Sequence, residues 1–158
     1  MIRSRVDLAR SGLITIEEYA DDIVKGRASN GTTPIEVADN LEAFTGTALK
    51  KSDGMSGGGN NELSETIGDI RAMGYLGNYY GKKIRGAVNL KLYQVTKDQK
   101  YKSQAVAELE ESLKAWQEYA RILDKQYIKM DISMMGIFDW SLIEKEVIKD
   151  IESARNVE

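Results

Sequence analysis

Neither histidine nor cysteine occurs in this chain, so the usual general base, the thiolate nucleophile and the common zinc ligands are all missing. Any chemistry falls to carboxylates, aromatic rings and basic side chains. Glu62, Glu65 and Asp69 recur at three- and four-residue steps and share one helical face. An acid and a base about 5 to 9 Å apart across a sugar is the minimum for glycoside hydrolysis. The same residues near a helix N-terminus are explained without catalysis, by favourable charge at the positive end of the helix dipole. Asp21 with Asp22, and Glu108 with Glu110 and Glu111, are dense enough for a hard cation, but such runs ordinarily form solvated helix faces. The di-metal carboxylate sites of helical bundles need a histidine three residues after a glutamate, which excludes them here. No catalytic residue, metal set or cofactor is assigned.

Two other groups could bind without reacting. Arg71, Tyr75, Asn78, Lys82, Arg85 and Asn89 fall on one stripe, mixing an aromatic ring with basic and amide groups. A solvated face is one reading of that stripe, and a surface docked on another domain or on an acidic glycan is the other. Tyr79, Tyr80, Trp116 and Trp140 form the alternative, because such rings stack on sugar faces while their polar tips bond hydroxyls. Trp116 and Trp140 also sit on apolar stripes, where they read first as core anchors.

Charge narrows the partners. The 22 basic and 25 acidic residues are spread along 158 positions for a net charge of -3, which leaves no electrostatic footprint for nucleic acid. No apolar run reaches the length of a membrane span, and the first residues lack the apolar core of a signal peptide.

The elements that must position these residues are helical. Thr15 with Glu18 is a capping-box pattern, followed by Ile16, Tyr19, Ala20, Ile23 and Val24 on one face and closed by Gly26. Thr33, Pro34 and Glu36 give a second start signal, and the helix they open runs to about Lys51. The stretch 52–61, SDGMSGGGNN, reads as a flexible exposed loop. It lacks the Lys and Ser/Thr pair and the preceding strand that a phosphate-binding loop needs.

From Ser64 to Thr96 the pattern is one long helix interrupted by Gly68, Gly74, Gly77, Gly81 and Gly86. Each glycine costs about 1 kcal/mol relative to alanine, so close packing must offset them. Gly74, Gly77 and Gly81 follow Ile67 and Ile70 along one seam, with Trp116 as the expected occupant of the groove. Met73, Leu76, Tyr80, Ala87 and Leu90 form a second stripe, predicting burial on two sides. Asp98 caps the next helix, whose stripe is Ala105, Leu109, Leu113, Trp116, Ala120, Leu123 and Tyr127, expected to lie antiparallel to the glycine-bearing one. Residues 129–140 lose helical period yet stay apolar, as a packed-down loop would. A last helix turns Trp140, Ile143, Val147, Ile151 and Ala154 inward.

The fold class is all-α, an up-and-down bundle of four principal helices plus a short N-terminal helix. Residues 15–158 form the bundle, and residues 1–14 read as a lead-in from a preceding domain.

Three segments carry a likeness: TPIEVADNLEAFTGTAL, the block from ELSETIGDIRAMGYLGNYYGKK through SLKAWQEYA, and FDWSLIEKEVIKDIESAR. Together they resemble the helical C-terminal accessory region of large bacterial proteins of the glycoside-hydrolase type. The resemblance spans most of the chain from Thr32 onward, except the glycine loop. It implies a non-catalytic module that packs beside a carbohydrate-active domain of the same polypeptide or shapes its cleft, and a periplasmic or extracellular location. No catalytic residue carries over. An independent helical domain that binds a small molecule or glycan through the aromatic group is the alternative.

Overall fold

Helix starts in this chain are set by side chains that satisfy the first orphan N–H groups. In the computed structural model, which describes residues 12–128, 130–132 and 136–158, Thr15 and Thr33 each complete a capping box, with Glu18 and Glu36. They open α1 (Ile16–Lys25) and α2 (Pro34–Asp53). Asn60 accepts from the Leu63 N–H at 3.0 Å and opens α3 (Asn61–Thr96), and Asp98 accepts from Lys100 to open α4 (Gln99–Gln126). The last helix is α5 (Trp140–Asn156). Gly26 ends α1 in the left-handed region at φ 63°, where the missing side chain removes the steric penalty.

The architecture is an all-α, up-and-down bundle of four principal helices with the short α1 laid on it. Antiparallel order is visible in the residues that meet. Gly68, Tyr79 and Gly86 of α3 face Gln126, Trp116 and Leu109 of α4 in turn. Gly74, Gly77 and Gly81 face Leu49, Thr45 and Glu42 of α2. α5 returns along α4, burying Val147, Ile151 and Ala154 against Trp116 and Leu109. α1 covers the far end of α3, where Ala20 packs on Val88 and Leu92. A parallel bridge between Leu13 and Thr32 fastens the chain ahead of α1 to the start of α2. No helix among the described residues is long and apolar enough to cross a membrane.

Three expectations change. The glycine seam is filled by α2 and not by Trp116, which packs on Tyr79 at a ring separation of 5.2 Å. A Cβ at Gly77 would lie 2.2 Å from Thr45 Cγ2, and one at Gly74 would lie 2.8 Å from Leu49 Cδ2. The second stripe of α3 is not buried throughout: Leu76 and Leu90 reach the core, but Met73 is 64 % and Tyr80 51 % exposed, since no helix crosses that side. Ile70, assigned to the buried seam, is likewise exposed. Finally, the segment read as a loop pairs Met130–Ile132 (β1) with Gly136–Phe138 (β2) as a short antiparallel ladder. Residues 129 and 133–135 of that segment, and residues 1–11 of the lead-in, lie outside the described residues.

Gly77→Leu will destabilise the fold by about 1 to 3 kcal/mol through overpacking against Thr45, read from the urea midpoint. A second expectation concerns acid. The Thr33 backbone N–H, and after it the Thr33 side chain, hold the Glu36 carboxyl below its ordinary 4.5. A depressed native value means the stabilisation is complete above the unfolded value and is lost as pH falls through the native one. The stability of Glu36→Gln will therefore fall less than that of the parent chain as pH drops below about 4.5.

Candidate functional site

The long helix α3 borders four kinds of surface, and the candidate binding residues are distributed among them. The polar stripe comes first. Arg85 Nε donates to Glu42 Oε1 at 2.9 Å and its Nη2 pairs with Asp39, both on α2. The Lys82 ammonium lies 3.5 Å from Glu42 and 3.2 Å from Glu108, bridging α2 and α4. Asn78 Oδ1 accepts from Thr45 Oγ1 at 2.7 Å, and Asn89 bonds back to the Arg85 carbonyl at 3.0 Å. Arg71 Nη2 donates to the Ser52 carbonyl at 2.5 Å and to that of Met55 at 3.5 Å, so it caps the end of α2 and tethers the start of the glycine loop. Tyr75 leans on Ala72, Ile122 and Leu123. This stripe is thus the α2–α3 seam and its α4 margin. The hydrogen bond to Glu42 does most to raise the Arg85 guanidinium above its ordinary value, opposed by partial burial and helped by Asp39.

The aromatic group is a second surface, turned inward. Tyr79, Trp116, Tyr119 and Trp140 run as a row of tilted and edge-on contacts, with successive ring centroids 5.2, 5.3 and 5.4 Å apart. Tyr79 and Trp116 are each 5 % exposed and belong to the core with Val147. Tyr80 packs its edge on Tyr79 at 4.9 Å and shows its other side to solvent. Such a row anchors α3, α4 and α5 to one another.

The third surface is apolar and open. Phe44 on α2, at 73 % exposure, stands beside Ile70 and Met73 on α3, and these residues line a shallow groove of about 440 Å³ with Ala48 and Gly74. Periodicity within each helix identifies apolar faces, but Phe44 lies at the edge of its stripe. Only the position of α2 brings it next to Met73.

The fourth is a polar cleft of about 540 Å³ between the first half of α3 and the last turns of α4, lined by Asn61, Ser64, Glu65, Arg71, Tyr75, Arg121, Lys125 and Gln126. Its floor exists because Gly68 has no side chain. A Cβ there would sit 1.7 Å from Gln126 Oε1, and Gln126 instead lies across α3 to reach the Glu65 carbonyl at 3.0 Å. Arg121 and Lys125 escaped the sequence reading. Their i,i+4 spacing was visible, but not the glycine that opens a space beside them.

Glu62 and Glu65 are exposed on the first turns of α3, with no side-chain hydrogen bond or ion pair among the described residues, and the other carboxylate candidates are held by partners. Asp69 accepts from Tyr127 Oη at 2.7 Å and from Gln126 at 3.2 Å. Asp21 and Asp22 pair with Arg27, Glu110 with Arg155 and Glu111 with Lys114. Among the described residues no group of histidine, cysteine and acidic side chains could hold a metal ion.

The chain matches no family model, no curated protein and no solved structure.

Arg85→Met, which keeps the apolar stem and removes the charge, will cost about 1 kcal/mol because the Arg85–Glu42 pair is only half-buried. The difference from the parent chain in urea unfolding will shrink in about 1 M salt.

Proposed function

We propose that this chain is a non-catalytic helical module that packs beside a carbohydrate-active domain of the same polypeptide, through the apolar groove of α2 and α3. The observation that carries the reading is the exposure of Phe44, Ile70 and Met73 in one patch, while the charged groups of the neighbouring seam are bonded within the chain. Burying large apolar side chains of this kind stabilises an interface by about 1.5 to 3 kcal/mol each. A contiguous apolar patch beside a polar seam has the anatomy of an interface core and its rim. The likeness of TPIEVADNLEAFTGTAL and SLKAWQEYA to accessory regions of glycoside-hydrolase-type proteins supports the choice of neighbour. The docking face moves, in this reading, from the Arg71–Asn89 stripe to the groove next to it, because α2 already occupies the stripe.

The test is to combine this chain with the carbohydrate-active domain of its own reading frame and follow amide exchange and affinity. Contact will slow exchange in the part of α3 around Ile70 and Met73. Met73→Lys will weaken association at least tenfold, on the order of a lost interface hot spot, with the melting temperature of the isolated chain unchanged. The absence of such a domain from the reading frame, or an exchange pattern unaltered by it, overturns the reading.

A further inference from the structure

The turn that joins α1 to α2 contains Ser29, Asn30, Gly31 and Thr32. Of the seven asparagines in the chain, Asn30 alone is followed by glycine. The backbone nitrogen after an asparagine can attack that residue's own side-chain carbonyl, closing a five-membered ring, and a glycine there puts no side chain in the way of the approach. In a folded chain three further conditions decide the outcome. The asparagine side chain must be free, the attacking N–H must be uncommitted, and the backbone must lie outside a helix.

All three hold at Asn30. It is exposed, its side chain makes no hydrogen bond, and the Gly31 N–H donates to no acceptor among the described residues. The other asparagines are protected. Asn40, Asn78 and Asn89 lie inside α2 and α3, where the next N–H is committed to a carbonyl one turn back. Asn60 accepts from the Leu63 N–H at 3.0 Å, Asn61 is followed by the side chain of Glu62, and the Val157 N–H after Asn156 donates to the Ser153 carbonyl at 3.1 Å. Glycine stands at position 31 for a separate reason. Its φ is 140°, and a Cβ there would lie 2.7 Å from the Gly12 carbonyl oxygen. The residue that lets the lead-in approach the start of α2 is therefore the one that leaves Asn30 open to attack.

We propose that Asn30 is a self-modification site whose product loosens the lead-in from the bundle. The Gly31 nitrogen bonds to Asn30 Cγ, the Cγ–Nδ2 bond breaks, and the proton given up by Gly31 leaves with Nδ2 as ammonia. Water then opens the ring. Addition at Cγ gives aspartate. Addition at the main-chain carbonyl carbon of residue 30 gives isoaspartate, in which the backbone runs through Cγ and gains a methylene ahead of Gly31. Solvent water is the only co-reactant. The added methylene falls beside the bonds that tie the lead-in to α2, from the Ile14 N–H to the Thr32 carbonyl at 3.1 Å and from the Thr32 N–H to the Gly12 carbonyl at 2.8 Å. With Gly31 already packed on Gly12, a longer chain at this point displaces Thr32 from that register. The site is independent of the docking groove, so the failure of one does not touch the other.

The whole chain is held in warm buffer at neutral and at mildly alkaline pH, then digested for peptide mass spectrometry, with isoaspartate told from aspartate by electron-transfer fragmentation. Asn30 will convert ahead of every other asparagine, by about tenfold or more in rate, and faster at the higher pH, because the attacking nitrogen must lose its proton. Both acids will form. Asn30→Gln will stay intact over the same period, since a six-membered ring closes more slowly, and its melting temperature will match that of the parent chain because the side chain has no partner to lose. In the aged chain, amide exchange followed by NMR will quicken at Ile14 and Thr32. Asn30→Asp, which carries the charge without the methylene, will exchange there like the parent chain. Earlier conversion of another asparagine, a rate indifferent to pH, or an aged chain that exchanges like the parent at Ile14 and Thr32 would each overturn the proposal.

Discussion

How closely α2 can approach α3 governs the rest of this molecule. Gly74, Gly77 and Gly81 strip the long helix of side chains along the line where Leu49, Thr45 and Glu42 arrive. Each costs about 1 kcal/mol in helix propensity, and the return is close contact of two helices that could not otherwise share a seam. Gly86 does the same for Leu109 on α4. A helix of 36 residues is thereby thinned on two flanks, and this lets it stand at the centre with α2 on one side, α4 on the other and α1 laid along it, while α5 packs along α4. The register follows as well. Once Thr45 is seated over Gly77, Glu42 must fall opposite Gly81 and beside Arg85.

That register determines the fate of the polar stripe. With α2 held close, Asp39 and Glu42 come within reach of Arg85 and Lys82, while Glu108 reaches Lys82 from α4. The same residues that read as a contact surface on an isolated helix become an internal clamp. Half-buried pairs of this type contribute modestly to stability. The end of α2 is fixed by the same helix through Arg71, which takes up the orphan carbonyl of Ser52 that a helix terminus leaves.

Much of this was legible in the chain. Thr15, Thr33 and Asp98 mark helix starts by local chemistry alone, and all three cap where their spacing to the first apolar residue puts them. The inward faces of α4 and α5 follow from periodicity, with Ala105, Leu109, Trp116, Val147, Ile151 and Ala154 all buried. What periodicity does not contain is which side of a two-sided helix finds a neighbour. Ile70 and Met73 are as apolar as Ile67 and Val88, but only the latter pair meets other helices. The ladder of Met130–Ile132 with Gly136–Phe138 is short enough that an alternation of two has no length in which to appear. The cleft was hidden for a related reason. Gly68 looks in sequence like one more packing glycine, and its effect is on Gln126, far along the chain.

The surfaces left over are those on which the proposed docking role draws. A reacting centre needs a group poised to exchange a proton or form a bond, and a chain without histidine or cysteine must draw it from carboxylates, lysines, tyrosines, serines or threonines. Here Asp69 is engaged with Tyr127 and Glu108 with Lys82, while Glu62 and Glu65 stand exposed on the first turns of α3. Burial works against the charge of the Lys83 ammonium, but its bonds to Asp150 and Tyr79 together outweigh it and hold the group above its ordinary value. The apolar trio of Phe44, Ile70 and Met73 has the chemistry of contact. It depends on α3, on the flank where no helix crosses. A long helix thinned by glycine thus joins the bundle and decides where its open faces lie.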